Sequence, residues 1–263
     1  VGRVALDANT TGSSNVAVGN QSLGENTTAS QNVAVGDHAL NKNTTASNNT
    51  ALGYAALFAN TTGADNVAIG SVALDANTTG SQNVAIGVAA LTSATTANDN
   101  TAIGHNCLPL NTTGTANVAV GNDSLEQNTT ANNNTAIGYR ASKGNTTGTQ
   151  NDALGAFSLF TNTNGSYNVA IGTIAGYSLN GGNQNTLVGN SAGSGVTTGS
   201  DNTFLGRKAG NSTTTASNNT GIGKDALFSN TTGANNVAVG SLTLDAATTA
   251  NNNTAVGQGA MSG

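Results

Sequence analysis

Side chains able to do chemistry are few in this chain, and they fall out of step with one another. Two histidines (His38 and His105), one cysteine (Cys107) and twelve carboxylates are the whole inventory for proton transfer, nucleophilic attack or metal ligation. A cysteine nucleophile needs a base within hydrogen-bond reach, and that base needs a third group to orient it. A structural metal needs about four ligands converging on one point. The two histidines occupy non-equivalent places, and no His or Asp accompanies Cys107 at a regular interval. The carboxylates never recur in one register, which removes the periodic calcium site of repeat-in-toxin rolls. Glycine pairs such as Gly181-Gly182 lack the lysine and the strand–loop–helix setting of a phosphate loop. The expectation is a non-enzymatic chain without cofactor or metal.

What the sequence has instead is register. The motif N-x-A-[VIL]-G returns every 17 residues without insertion or deletion, from Asn15–Gly19 (NVAVG) to Asn253–Gly257 (NTAVG). A fixed period of this length makes each repeat one step of a stacked architecture. Counting each repeat from the marker asparagine, the pattern is N-[VT]-A-[VIL]-G-x-x-[AS]-L-x-x-N-T-T-[GA]-x-x. Positions two to four alternate with β-branched residues, which is a strand signal. The invariant glycine at position five (Gly19, Gly36, Gly53, Gly70, Gly87 and successors) marks a tight turn or a place without room for a Cβ. No segment this short and this rich in Gly and Asn makes a helix, and the spacing leaves room for two or three short strands per coil. Fifteen such coils would span about 70 Å at the spacing of paired strands.

Charge confirms the phase. All seven basic residues and eleven of the twelve acidic ones fall at positions six, seven, ten, eleven or seventeen, Asp152 being the exception, so those columns must face solvent. The remaining columns are scaffold. They offer a thin core of Val, Ile or Leu at position four, Leu at nine, and Ala at three and eight. Neighbouring residues of a strand point to opposite faces, so one apolar face fills the coil while the other needs a partner. Lateral association of several chains is expected. In three consecutive repeats position nine becomes Gly (Gly176, Gly193, Gly210), and in two of them position three grows to Leu187 or Phe204. Such a volume exchange predicts that positions three and nine touch, although Ala170/Gly176 does not follow it. The asparagines at position one (Asn15, Asn32, Asn49, Asn66, Asn83 and their successors) are placed to form an amide ladder.

Two columns could recognise something. N-T-T at positions twelve to fourteen places a threonine rank along the stack, readable as Thr–Thr ladders or as an ice-ordering face. Because adjacent strand residues point oppositely, only one threonine per coil would face out. The same tripeptide is a glycosylation sequon at Asn9, Asn26, Asn43, Asn60, Asn77, Asn111, Asn128, Asn145 and Asn230. Tyr54, Phe58, Tyr139, Phe157, Phe160, Tyr177 and Phe228 lie in the solvent columns, as scattered surface rings or as contacts to a glycan or receptor.

Charged residues are only 7% of the chain and the net charge is −5, which argues against nucleic acid and anionic membranes as partners. No apolar run reaches the roughly 18 residues of a membrane span. The array starts and stops in mid-repeat, so residues 1–263 are expected to be one uncapped repeat array cut from a longer fibre. The marker N-x-A-[VI]-G-x-x-A resembles the head repeat of YadA-like trimeric autotransporter adhesins. The fuller pattern, as in Asn49–Gly63 (NTALGYAALFANTTG), is similar to repeats of phage tail-fibre-type proteins. The resemblance covers the whole chain and implies an all-β parallel β-solenoid, a left-handed β-roll with one repeat per coil and about 15 coils. It also implies a homotrimer or filament at a cell surface or on a virion. An extracellular spacer with some host-surface or glycan contact is the expected function. A self-assembling filament glycosylated on the N-T-T column and an ice-binding solenoid are the alternatives.

Overall fold

In the computed structural model, which describes residues 1–262, the chain falls into two compact units, Val1–Asn132 and Asn133–Gly263. The first carries seven strands, β1 (Val16–Val18), β2 (Val33–Val35), β3 (Thr50–Leu52), β4 (Val67–Ile69), β5 (Val84–Ile86), β6 (Thr101–Ile103) and β7 (Val118–Val120). The second carries eight, β8 (Thr135–Ile137), β9 (Asp152–Leu154), β10 (Val169–Ile171), β11 (Thr186–Val188), β12 (Thr203–Leu205), β13 (Thr220–Ile222), β14 (Val237–Val239) and β15 (Thr254–Val256). Within each unit, successive strands pair in parallel and in strict 17-residue register, as in Val67↔Val84, Ala68↔Ala85 and Ile69↔Ile86. Each unit is therefore a parallel β-solenoid with one repeat per coil, and no helix occurs among the described residues.

Each coil has one strand, not two or three. The rest of the coil cannot stay extended, because positions seven, nine and seventeen adopt left-handed backbone, as at Val72 (φ 51), Leu74 (φ 52) and Gln82 (φ 62). Two tight turns close the coil between them: Ala73 N donates to Gly70 O, and Asn77 N donates to Leu74 O, both at 3.3 Å. Non-glycine residues in this region are strained. They persist because the turn segments also bond along the stack. Leu74 N donates to Ala90 O at 2.9 Å, and Thr78 N donates to Thr95 O at 2.9 Å.

The interior differs from the sequence expectation at one column. Position four is not core. Alanine at position three points inward and is fully buried (Ala34, Ala51, Ala68, Ala85), facing buried Leu at nine and Ala or Ser at eight. Position four shares the outer face with position two, and Leu52 and Ile103 are 45% and 37% exposed. The outer face also explains Asp152: it sits at position two, exposed, on β9. The coil is too narrow to hold a branched side chain from the strand against the leucine opposite.

Where position three is larger, the leucine is gone. A Cβ on Gly210 would lie 2.3 Å from Phe204 Cε2, and one on Gly193 would lie 2.6 Å from Leu187 Cδ2. Positions three and nine are in contact, as the volume exchange requires. The exception at Gly176 resolves across coils: a Cβ there would meet Leu187 Cδ1 at 2.8 Å, so the space left by Gly176 is filled from the following coil. Gly221 likewise yields to Phe204, whose Cδ1 lies 3.1 Å from where its Cβ would be.

Position five brings backbone directly against backbone of the next coil at positive φ. Gly70 has φ +134, and a Cβ there would lie 2.4 Å from the carbonyl oxygen of Gly87 in the next coil. No side chain relieves such a clash, because both partners are backbone. Gly70→Ala is expected to cost about 3 kcal/mol or more through combined backbone strain and overlap. Guanidinium unfolding followed by circular dichroism would read the lowered midpoint.

Candidate functional site

The asparagine columns are internal fastenings. At position one, Asn66 Nδ2 donates to Gly80 O at 2.9 Å, closing its own coil. Its Oδ1 accepts from the backbone N of Asn83 at 3.0 Å and from Asn83 Nδ2 at 3.1 Å in the next coil. Asn15, Asn32 and Asn49 make the same backbone-to-Oδ1 links in sequence. One amide thus satisfies buried donors and acceptors of two coils, which the thin apolar core could not do.

The sequon column is equally internal. Asn26, Asn43, Asn60, Asn77, Asn111, Asn128, Asn145 and Asn230 have no exposed surface, and Asn9 is half-buried. Asn60 Nδ2 donates to Gly63 O at 2.8 Å and to Asn43 Oδ1 at 3.0 Å. Contrary to the sequence expectation, these amides do not form a ligand face. A glycosylated nitrogen would need both bonds broken and the coil opened. Position twelve turns inward for a simple reason: it opens a turn whose carbonyl at position fifteen only an inward side chain reaches.

The adjacent threonines divide between inside and outside, although they lie in a bend and not in a strand. Position thirteen is half-buried, and Thr61 Oγ1, Thr61 N and Thr62 N all converge on Thr78 O at 2.9, 2.9 and 3.2 Å. Position fourteen is exposed, forming a single file from Thr11 to Thr130 in the first unit. Asn164 and Gly181 interrupt it in the second.

The reactive residues stay apart. Cys107 is buried at position eight, with Sγ donating to Ala119 O at 3.0 Å and lying 2.9 Å from Ser124 Oγ. Burial pushes its thiol up to about 11, against the smaller opposing effect of the Ser124 hydrogen bond. His38 lies 2.8 Å from Asp37 beside Tyr54 and Phe58, and His105 is exposed. No three His, Cys, Asp or Glu residues gather to hold a metal among the described residues. No helix there is long and apolar enough to cross a membrane.

Two surface features remain. The first is the outer strand face, a file of Val or Thr at position two beside Val, Ile or Leu at position four, as at Val16, Val18, Val33, Leu52 and Ile103 in the first unit. The second is aromatic. Tyr139, Phe157, Phe160 and Tyr177 are not scattered rings. Their successive centroids lie 5.2, 5.5 and 5.1 Å apart, and the last pair is stacked at 8°. The Arg140 guanidinium lies 5.0 Å from the Tyr139 ring. Spacing alone gave the ring positions. Their gathering depends on the paths of loops from neighbouring coils, which spacing does not encode.

Compared with known proteins, the chain matches no protein-family model, and no curated protein matches it in sequence.

Two measurements test the interior assignments. Raising the thiol from 9.0 to about 11 lowers its thiolate fraction at pH 8 roughly a hundredfold, so native Cys107 is expected to resist a disulfide reagent until guanidinium unfolds the coil. The raised value also means that folding favours the protonated thiol. That contribution is full below pH 9 and fades as pH rises through about 11. The second test uses a gap in the sequon ladder. Ala94 follows Asn77 and leaves Asn77 Oδ1 buried without a partner. Ala94→Asn should supply that donor, take the next bond from Asn111 and raise stability by about 1 kcal/mol in the same unfolding assay.

Proposed function

We propose that the chain is a structural segment of an extracellular fibre, non-enzymatic, whose solenoid units associate laterally with further copies of the chain through the outer strand face. The observation that carries this reading is the apolar file at positions two and four. Parallel sheets are ordinarily covered on both faces, and the interior here covers only one. In the first unit the file contains Val, Thr, Ile and Leu and no charge. A contiguous apolar strip of this kind marks an interface.

The remaining features support a spacer. Fixed repeats with amide ladders give stiffness and leave few loops for a protease. The solvent columns vary freely without touching the interior, which suits contact with a host surface or glycan. The resemblance to adhesin head repeats and tail-fibre repeats points the same way, to a trimer at a cell surface or on a virion. The glycosylated-filament alternative loses its sites to burial. An ice-ordering face would have one threonine file per coil and not the paired files of a broad flat surface.

Size-exclusion chromatography with light scattering tests the reading. Wild-type protein is expected to run as an oligomer that persists in molar salt, because apolar contacts are not screened. Leu52→Lys combined with Ile103→Lys is expected to dissociate it while leaving the circular dichroism spectrum unchanged. A monodisperse wild-type monomer would overturn the proposal.

A further inference from the structure

The aromatic stack of the second unit ends abruptly at a groove. Position ten carries Phe160 and then Tyr177 in consecutive coils, stacked 5.1 Å apart. The next two coils place Ser194 and Asn211 at that position, with Gly195 and Ser212 beside them. Losing two large side chains from the column leaves a depression of about 580 Å³ lined by Tyr177, Ser178, Ser194, Asn211 and Ser212, with Ile174 and Thr214 at its margin. Phe160 covers one face of Tyr177. In the next coil the same position holds Ser194, too small to continue the stack, and both residues line the depression. Phe228 resumes the aromatic column three coils after Tyr177, roughly 14 Å along at the spacing of paired strands.

The lining is neutral and rich in hydrogen-bonding groups. None of its residues is charged. Asn211 Nδ2 donates to Ser194 Oγ at 2.7 Å, which leaves the Asn211 Oδ1 as acceptor and the Ser194 hydroxyl proton as donor. Ser178 and Ser212 commit their backbone N–H groups to Ser194 O and Phe228 O, both at 3.0 Å. Their hydroxyls make no hydrogen bond to the protein among the described residues. The backbone is thus satisfied and fixed, while a ring face and several hydroxyl and amide groups converge on one small volume.

We propose that this groove binds a neutral carbohydrate, with one pyranose ring stacked on Tyr177 as the next member of the aromatic ladder. A pyranose has a C–H face and a hydroxyl rim. The electropositive C–H face suits the negative face of the tyrosine π-system, and the rim meets Ser178, Ser194, Asn211 and Ser212. A charged peptide or an acidic glycan would find no counter-charge in the lining. The rigid scaffold keeps the ring and the polar groups in place before binding, which lowers the ordering cost. The groove uses positions seven, ten, eleven and thirteen, not the outer strand face. Failure of the oligomer test would therefore leave this site standing, and the reverse holds too.

The test is an array of neutral oligosaccharides of gluco, galacto, manno and N-acetylhexosamine configuration, with sialylated and sulfated glycans alongside, followed by saturation-transfer NMR on any hit. At least one neutral glycan should bind with its ring C–H protons saturated. Tyr177→Ala should weaken binding roughly tenfold or more. Ser194→Tyr should abolish it by extending the ladder into the groove, a change the column already accepts at Phe160 and Tyr177. Tyr54→Ala, in the first unit, should leave binding unchanged. An array on which only acidic glycans bind, or nothing binds, overturns the proposal. So does binding that both Tyr177→Ala and Ser194→Tyr leave intact.

Discussion

The backbone contact at position five constrains everything else in the coil. Glycine carbonyls and α-carbons of successive coils approach so closely that a methyl group would sit about 2.2–2.7 Å from the next carbonyl. Coils can come this near only if each passes that point in the same conformation, which forces one length and one path on every repeat. The strict period is therefore a steric requirement. It also makes each coil a template for the next, since strand, turns and asparagine amides all find their partners one repeat away.

Given that template, polar groups take the part that a hydrophobic core plays elsewhere. Alanine at three, leucine at nine and a small residue at eight bury little area per coil. Asparagines, two in most coils and one in the others, supply what is missing by tying backbone groups both within and between coils. Low charge has the same origin. Apart from Asp152 on the outer strand face, ions fall only in the solvent columns, which are short loops at coil corners.

Much of this was legible in the sequence. Phase, strand position, the position-five glycine and the contact between positions three and nine all derive from residue types at fixed spacing. The side of the strand that faces inward did not. Valine and isoleucine at position four look more like core than alanine at three, and only the narrowness of the coil, set by the leucine opposite, decides between them. Left-handed backbone at seventeen had a signal in its Asn, Asp and Gln residues. At position nine it had none, because leucine there is chosen for packing against its own strain. The aromatic groove was half legible: the rings were in solvent columns, but their approach depends on loop paths that no periodicity encodes.

The offset between Gly176 and Leu187 bears on how such an array changes over generations. Most coils are interchangeable, so duplication or loss of one whole repeat leaves every interior contact matched and alters only length. Around Leu187 this ceases to hold, because its side chain occupies space vacated by two different coils. Excising that repeat would leave a void behind, and inserting an ordinary one would set a leucine against it. Packing therefore ties these coils into one unit, in an array whose other repeats could be added or removed one at a time.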